Sequence, residues 1–260
     1  MKLNIYDWDK TKQLSIPLLL LAFAIPSAIG YVGFRIVLPV LVEEGIPSIL
    51  AWPLIASLML FFLVILSLVL LQKEARHLNI SLVSRMCLKK LSFREWLVYT
   101  AIIVAGLIVT ILAQKLVLPF MQFSGLSVPD YMPFILNPNI NPATADPATL
   151  SPGYPLNGQY VLLPVWGITL ILNILAEELY FRALLLPKMS GYGAMGWILN
   201  GVLFALYHTF QFWLFPVILT GSLFTAFVTF KSRSILPPMV AHFIANFLIN
   251  ILGLYMLVLG

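Results

Sequence analysis

The chain has 260 residues, 61% of them hydrophobic and 10% charged, with a formal net charge of +5 and a mean hydropathy of +0.98. A soluble globular domain is nearer half apolar and a quarter charged, so that class is excluded. The apolar runs are continuous rather than alternating, which excludes a β-barrel and indicates an all-α polytopic membrane bundle of seven or eight helices.

The first span is read over 15–42. Lys2, Lys10 and Lys12 followed by the apolar stretch from Ile16 resemble a signal peptide, but no cleavage site interrupts the run and Pro26, Gly30 and Gly33 only mark kinks. An uncleaved first helix is expected. Further spans follow at 50–73, 96–118, 160–187, 193–210, 212–230 and 235–258. Ser92-Phe93-Arg94-Glu95 fits a capping box at the start of the third.

Lysine and arginine placement sets the orientation. Lys73, Arg76, Arg85, Lys89, Lys90 and Arg94 fill one loop, and Lys188 and Lys231/Arg233 mark two later ones. A cytoplasmic N-terminus puts all of these inside. The Glu43/Glu44 loop, the 119–158 segment, the Phe210-Gln211 turn and the C-terminus then lie outside. Lys115 and the mid-span Arg35 are exceptions. No basic patch calls for nucleic acid.

Residues 74–94 suit either a surface-lying helix, with Leu78, Leu82, Met86 and Leu91 on one side, or an ordinary basic loop. Asn79-Ile80-Ser81 is a glycosylation sequon that a cytoplasmic position would silence. The single cysteine, Cys87, excludes an internal disulfide and lies in this basic loop without an obvious partner. Residues 119–158 hold eight prolines with only Asp130 and Asp146 as charges. They read as a loop outside the cytoplasm, partly packed as a lid. The chain thus divides into a three-span region (1–118), a Pro-rich loop (119–159) and a four-span region (160–260) that carries the chemistry.

That chemistry starts from Ala176-Glu177-Glu178-Leu179-Tyr180-Phe181-Arg182. Two carboxylates and a guanidinium lie inside an expected span, where each ionisable group costs about 2.5–3.5 kcal/mol near the centre. Glu178 and Arg182, four residues apart with the acid first, are placed for a same-face ion pair. Glu177 projects about 100° from Glu178, so the two carboxylates need not share one role. Phe204 and His208 share a face of the fifth span, as do His242 and Asn246 on the last. Glu, His, His is a ligand set that catalytic Zn²⁺ accepts. The same groups suit metal-free hydrolysis, in which a glutamate and a histidine activate water while His242 and Asn246 donate to the oxyanion. Singly, each also reads as a helix-tying group, as do Asn173, Asn200 and Asn250. Haem ligation by His208 and His242, or a proton relay, is a third class, but haem leaves Glu177, Glu178 and Arg182 without a role.

Glu177-Glu178-x-x-x-Arg182, Phe204-x-x-x-His208 and His242-x-x-x-Asn246 together resemble the three-motif signature of the CPBP family. These are the CAAX proteases and bacteriocin-processing enzymes, also called Abi, and they include the type II CAAX prenyl endopeptidase. The resemblance spans about 160–250. It implies an intramembrane endopeptidase in which Glu177 and His208 activate water, Glu178 and Arg182 support the site, and His242 and Asn246 bind the oxyanion. No cofactor is required in the favoured reading. Zn²⁺ on Glu177, His208 and His242 is the alternative, since the family has been described both ways. The implied partners are the bilayer and a membrane-anchored substrate, prenylated CAAX-type or pheromone- and bacteriocin-like. Charge placement puts the site's opening toward the cytoplasm. A non-catalytic immunity or scaffold protein of the same family is the alternative function. Oligomeric state is not legible.

Overall fold

The computed structural model describes residues 6–141 and 144–259; Lys2 and the side chain of Asn250 fall outside what is described. The chain is a helical bundle, as its composition predicts, with no strand among the described residues. Among the described residues, five helices are long and apolar enough to cross a membrane: α1 (Ile16–Glu43), α2 (Ser48–His77), α3 (Phe93–Ser124), α4 (Leu162–Tyr192) and α6 (Thr209–Ser232). Between the last two lies α5 (Met195–Tyr207), apolar but only 13 residues long. At 1.5 Å per residue it spans about 20 Å, short of the roughly 30 Å hydrocarbon core. The expected seventh span runs without a gap through α7 (Leu236–Asn246), a π-helical stretch (Phe247–Leu252) and α8 (Gly253–Leu259).

Large apolar side chains stand out from the bundle, among them Ile25, Ile29, Leu58, Phe62, Ile111 and Met256. Surfaces of this kind are stable against hydrocarbon rather than water. The interior is tied by the hydroxyls and indoles of facing helices. Trp166 Nε1 donates to the Ile49 carbonyl at 2.9 Å, and Thr169 Oγ1 to that of Pro53 at 3.1 Å, which locks α4 against α2. Tyr180 Oη donates to the Ala22 carbonyl at 2.9 Å, fixing α1 on the other side of α4. α5 and α6 approach closely at Gly201, where an added Cβ would meet the Leu223 backbone at 3.1–3.2 Å. Small residues allow this approach between apolar helices, and Ser222 Oγ donates to the Gly201 carbonyl there.

The capping box is present: Ser92 Oγ accepts from the Glu95 N–H, and the Ser92 N–H donates to Glu95 Oε2 at 2.7 Å. The surface-lying helix over 74–94 is not. α2 runs on to His77, Asn79 turns the chain at φ 52°, and only Leu82–Arg85 is helical beyond it. The reason is Arg85. Its guanidinium is fully buried, donating to Glu74 Oε2 (Nε, 2.8 Å) and to the carbonyls of Ala183 (2.6 Å) and Leu184 (3.3 Å) on α4. Lys188 pairs with the other Glu74 oxygen. A buried cation demands such satisfaction, and this set folds the segment inward instead of laying it on a surface.

Cys87 is buried beside Arg85, and burial pushes its thiol up to about 11. The thiolate is therefore scarce at neutral pH. A maleimide at pH 7.5 is expected to leave Cys87 unlabelled in the folded protein and to label it fully after denaturation, read by intact mass.

The Pro-rich stretch packs on one end of the bundle. Phe134, Leu150 and Leu156 join Ile49, Leu162, Trp166, Leu254 and Val258 in a second apolar cluster. Trp213 Nε1 donates to the Leu136 carbonyl at 2.9 Å, which brings Leu136 to the wall of the central cavity.

Candidate active site

All six residues singled out in the sequence, Glu177, Glu178, Arg182, His208, His242 and Asn246, line one cavity of about 330 Å³ within the bundle, together with Phe204. Glu177, Glu178 and Arg182 are buried. The carboxylates belong to α4 where it changes character: the α-helix runs to Glu177, and Glu178–Leu185 is π-helical. Such π-turns in α-helices accompany functional sites.

This local geometry overturns one expectation. Glu178 and Arg182 do not form the anticipated i, i+4 ion pair, because the wider π-turn changes the angular spacing on which that register depends. Glu178 Oε1 instead faces His242 Nδ1 at 3.3 Å. Arg182 donates to Asn200 Oδ1 (Nη1, 3.0 Å) and Thr225 Oγ1 (Nη2, 3.0 Å), with its guanidinium 4.4 Å over the Phe204 ring. Asn200 in turn donates to the Phe181 carbonyl at 2.9 Å. Arg182 thus ties α4 to α5 and α6, and Phe204 is more than core: its ring carries the cation and its carbonyl orients His208.

His208 follows the last residue of α5 at φ −82°, ψ 42°. Its Nδ1 lies 3.0 Å from the Phe204 carbonyl oxygen. A carbonyl can only accept, so Nδ1 carries the proton and donates. In the neutral ring that leaves Nε2 with its lone pair, 3.5 Å from Glu177 Oε1. The other Glu177 oxygen is 3.7 Å from His242 Nε2. Glu177 therefore stands between two imidazoles, and His242 has a carboxylate on each side of its ring.

Zn²⁺ accepts residues of these types, yet among the described residues no three His, Cys, Asp or Glu side chains are grouped as a metal site requires. Two carboxamides that the sequence left as tying groups or turn residues also reach the site. Asn173, one turn before Glu177, and Gln211, just past His208, line this cavity and a second one beside it. Nothing in their spacing sets them apart from other polar residues in apolar helices.

Residues 159–248 match the family model Rce1-like, described as type II CAAX prenyl endopeptidase Rce1-like. Over this segment the chain is similar to the Rce1-like family. The matched segment contains every residue of the cavity's polar cluster from Glu177 to Asn246, and the Rce1-like family that it resembles is a protease family. With the apolar helices of the bundle, this makes the chain an integral membrane protein. No curated protein and no solved structure matches the chain.

Proposed function

We propose that this protein is an intramembrane endopeptidase that hydrolyses a peptide bond of a membrane-anchored, prenylated CAAX-type or similar peptide, using water activated by Glu177 and His208. The observation that carries this reading is the facing pair Glu177 Oε1 and His208 Nε2, 3.5 Å apart. With the His208 proton committed to Phe204, both are acceptors, and a water that donates to each is held at its two hydrogens.

In the proposed reaction the water gives one proton to Glu177 as its oxygen bonds to the scissile carbonyl carbon. The carbonyl oxygen becomes an oxyanion, which Asn246 and Nε2 of the His242 imidazolium bind by donation, while Glu178 holds Nδ1 of that ring. Collapse breaks the C–N bond, and the leaving nitrogen takes the proton from Glu177. Arg182 touches no reacting atom. It fixes the helix that carries both carboxylates against α5 and α6. No metal is required in this scheme, and the basic residues in the loop before α3 and at Lys188 on α4 favour a site that opens inward.

The test is cleavage of farnesylated and unfarnesylated membrane-anchored peptides in liposomes. Wild type is expected to cleave near the anchored C-terminus, equally well with a strong chelator. Asn246→Ala is expected to lose about 10²–10³ in kcat, the scale of one oxyanion donor. Chelator-abolished cleavage restored by Zn²⁺ would replace the glutamate scheme with a metal-dependent one. A wild type that cleaves none of the panel while Asn246→Ala unfolds would favour a non-catalytic role.

A further inference from the structure

The second cavity, of about 270 Å³, shares Trp52, Leu60, Asn173, Glu177, His208 and Gln211 with the first. Its remaining wall is largely apolar and reaches Ile25, Ile29, Phe62 and Leu66 on the outer faces of α1 and α2. The Glu177–His208 pair therefore sits where two spaces meet, one deep in the bundle and one leading toward its surface.

Gln211 stands at this junction. Its backbone departs from helical geometry (φ −135°, ψ 44°), and its N–H donates to the His208 carbonyl at 3.0 Å, so it is held within one turn of that histidine. Its Oε1 is shielded from solvent and has no hydrogen-bond partner among the described residues. Buried polar atoms are nearly always satisfied, so an orphan acceptor in a cavity wall calls for a donor from whatever fills the cavity. An acceptor cannot serve an oxyanion. An extended peptide, however, brings main-chain N–H groups that need acceptors once they leave water. Glu177 and His208 are engaged with the attacking water, and His242 and Asn246 act as donors.

We propose that Gln211 is a substrate-anchoring residue, its carboxamide oxygen accepting the main-chain N–H of a residue beside the scissile bond where the two cavities join. This rests on the peptidase reading above. The anchor holds the chain in register across the Glu177–His208 pair, so that the carbonyl to be attacked faces the donors of His242 and Asn246.

The test uses a fluorescent farnesylated peptide in liposomes and analogues in which one amide flanking the scissile bond becomes an ester, which removes a single N–H. Gln211→Met keeps the length and removes the acceptor. It is expected to raise KM about tenfold with little change in kcat, the worth of one hydrogen bond. At one flanking position the ester should cost wild type about as much and cost Gln211→Met nothing further. Wild-type KM in Gln211→Met, or the same ester penalty in both proteins, would overturn the proposal. Should the variant fail to fold, the ester series on wild type decides: no flanking position that raises KM means no anchor. If wild type cleaves nothing, the peptidase reading fails by itself. The anchor is then judged by binding of the same peptide, where tenfold weakening in Gln211→Met supports it and unchanged affinity overturns it.

Discussion

Glu177→Gln is expected to lower kcat by about 10²–10⁴-fold with KM nearly unchanged, the loss that accompanies removal of a general base. Glutamine keeps the shape of the buried side chain but cannot take a proton. Its amide group would also donate to His208 Nε2 and occupy the lone pair that holds the water. Helix content and thermal transition should stay close to wild type, because the fold's ties run through Arg182, Asn200 and Thr225 rather than through Glu177. His208→Ala should fall to a similar floor. The double variant should be little worse than either single one, since the two groups act on the same water. Single-turnover kinetics in liposomes measures all three.

The second large effect is on stability and lies far from the reacting atoms in sequence. Arg85→Ala is expected to destabilise the protein by about 3 kcal/mol, the lower end of the range for breaking a buried charge pair, because Glu74 keeps partial access to solvent. The truncation leaves the carbonyls of Ala183 and Leu184 without this donor, and these belong to the π-helical part of α4 that carries Glu178 and Arg182. Activity should fall along with stability. Arg85→Lys should recover only part of the loss, since one ammonium cannot serve a carboxylate and two carbonyls with the fixed fork of a guanidinium. Unfolding in detergent, followed by tryptophan fluorescence, reads the difference. A transition within the error of wild type would show that the buried cluster does not hold α4.

Hydropathy made the bundle legible, because burial in hydrocarbon leaves an unbroken apolar signature that needs no tertiary information. The Ser92–Glu95 capping box was legible for the same local reason. The spacing of Glu177, His208, His242 and Asn246 also placed four groups that the fold brings to one cavity. The register of Glu178 and Arg182 was not legible. An i, i+4 reading assumes an α-helix, and a π-turn leaves no periodic trace by which eight residues could announce it. Arg85 was hidden differently. Among the basic residues of its loop it looked like a topology charge, and its partners Ala183 and Leu184 lie almost a hundred residues away. The short α5 was likewise concealed, since the apolar run continues past Tyr207 while the helix stops at His208. Gln211 was read only as part of a turn, and its orphaned oxygen becomes visible only once the cavities are built around it.

The most direct test of the account is mass analysis of the products formed in H₂¹⁸O, in the presence of a strong chelator, from a farnesylated membrane-anchored peptide. Wild type is predicted to release a fragment with one ¹⁸O in its new carboxyl terminus, and Glu177→Gln to release almost none. Undiminished product from Glu177→Gln, or no product from a folded wild type across prenylated and unprenylated peptides, would contradict it.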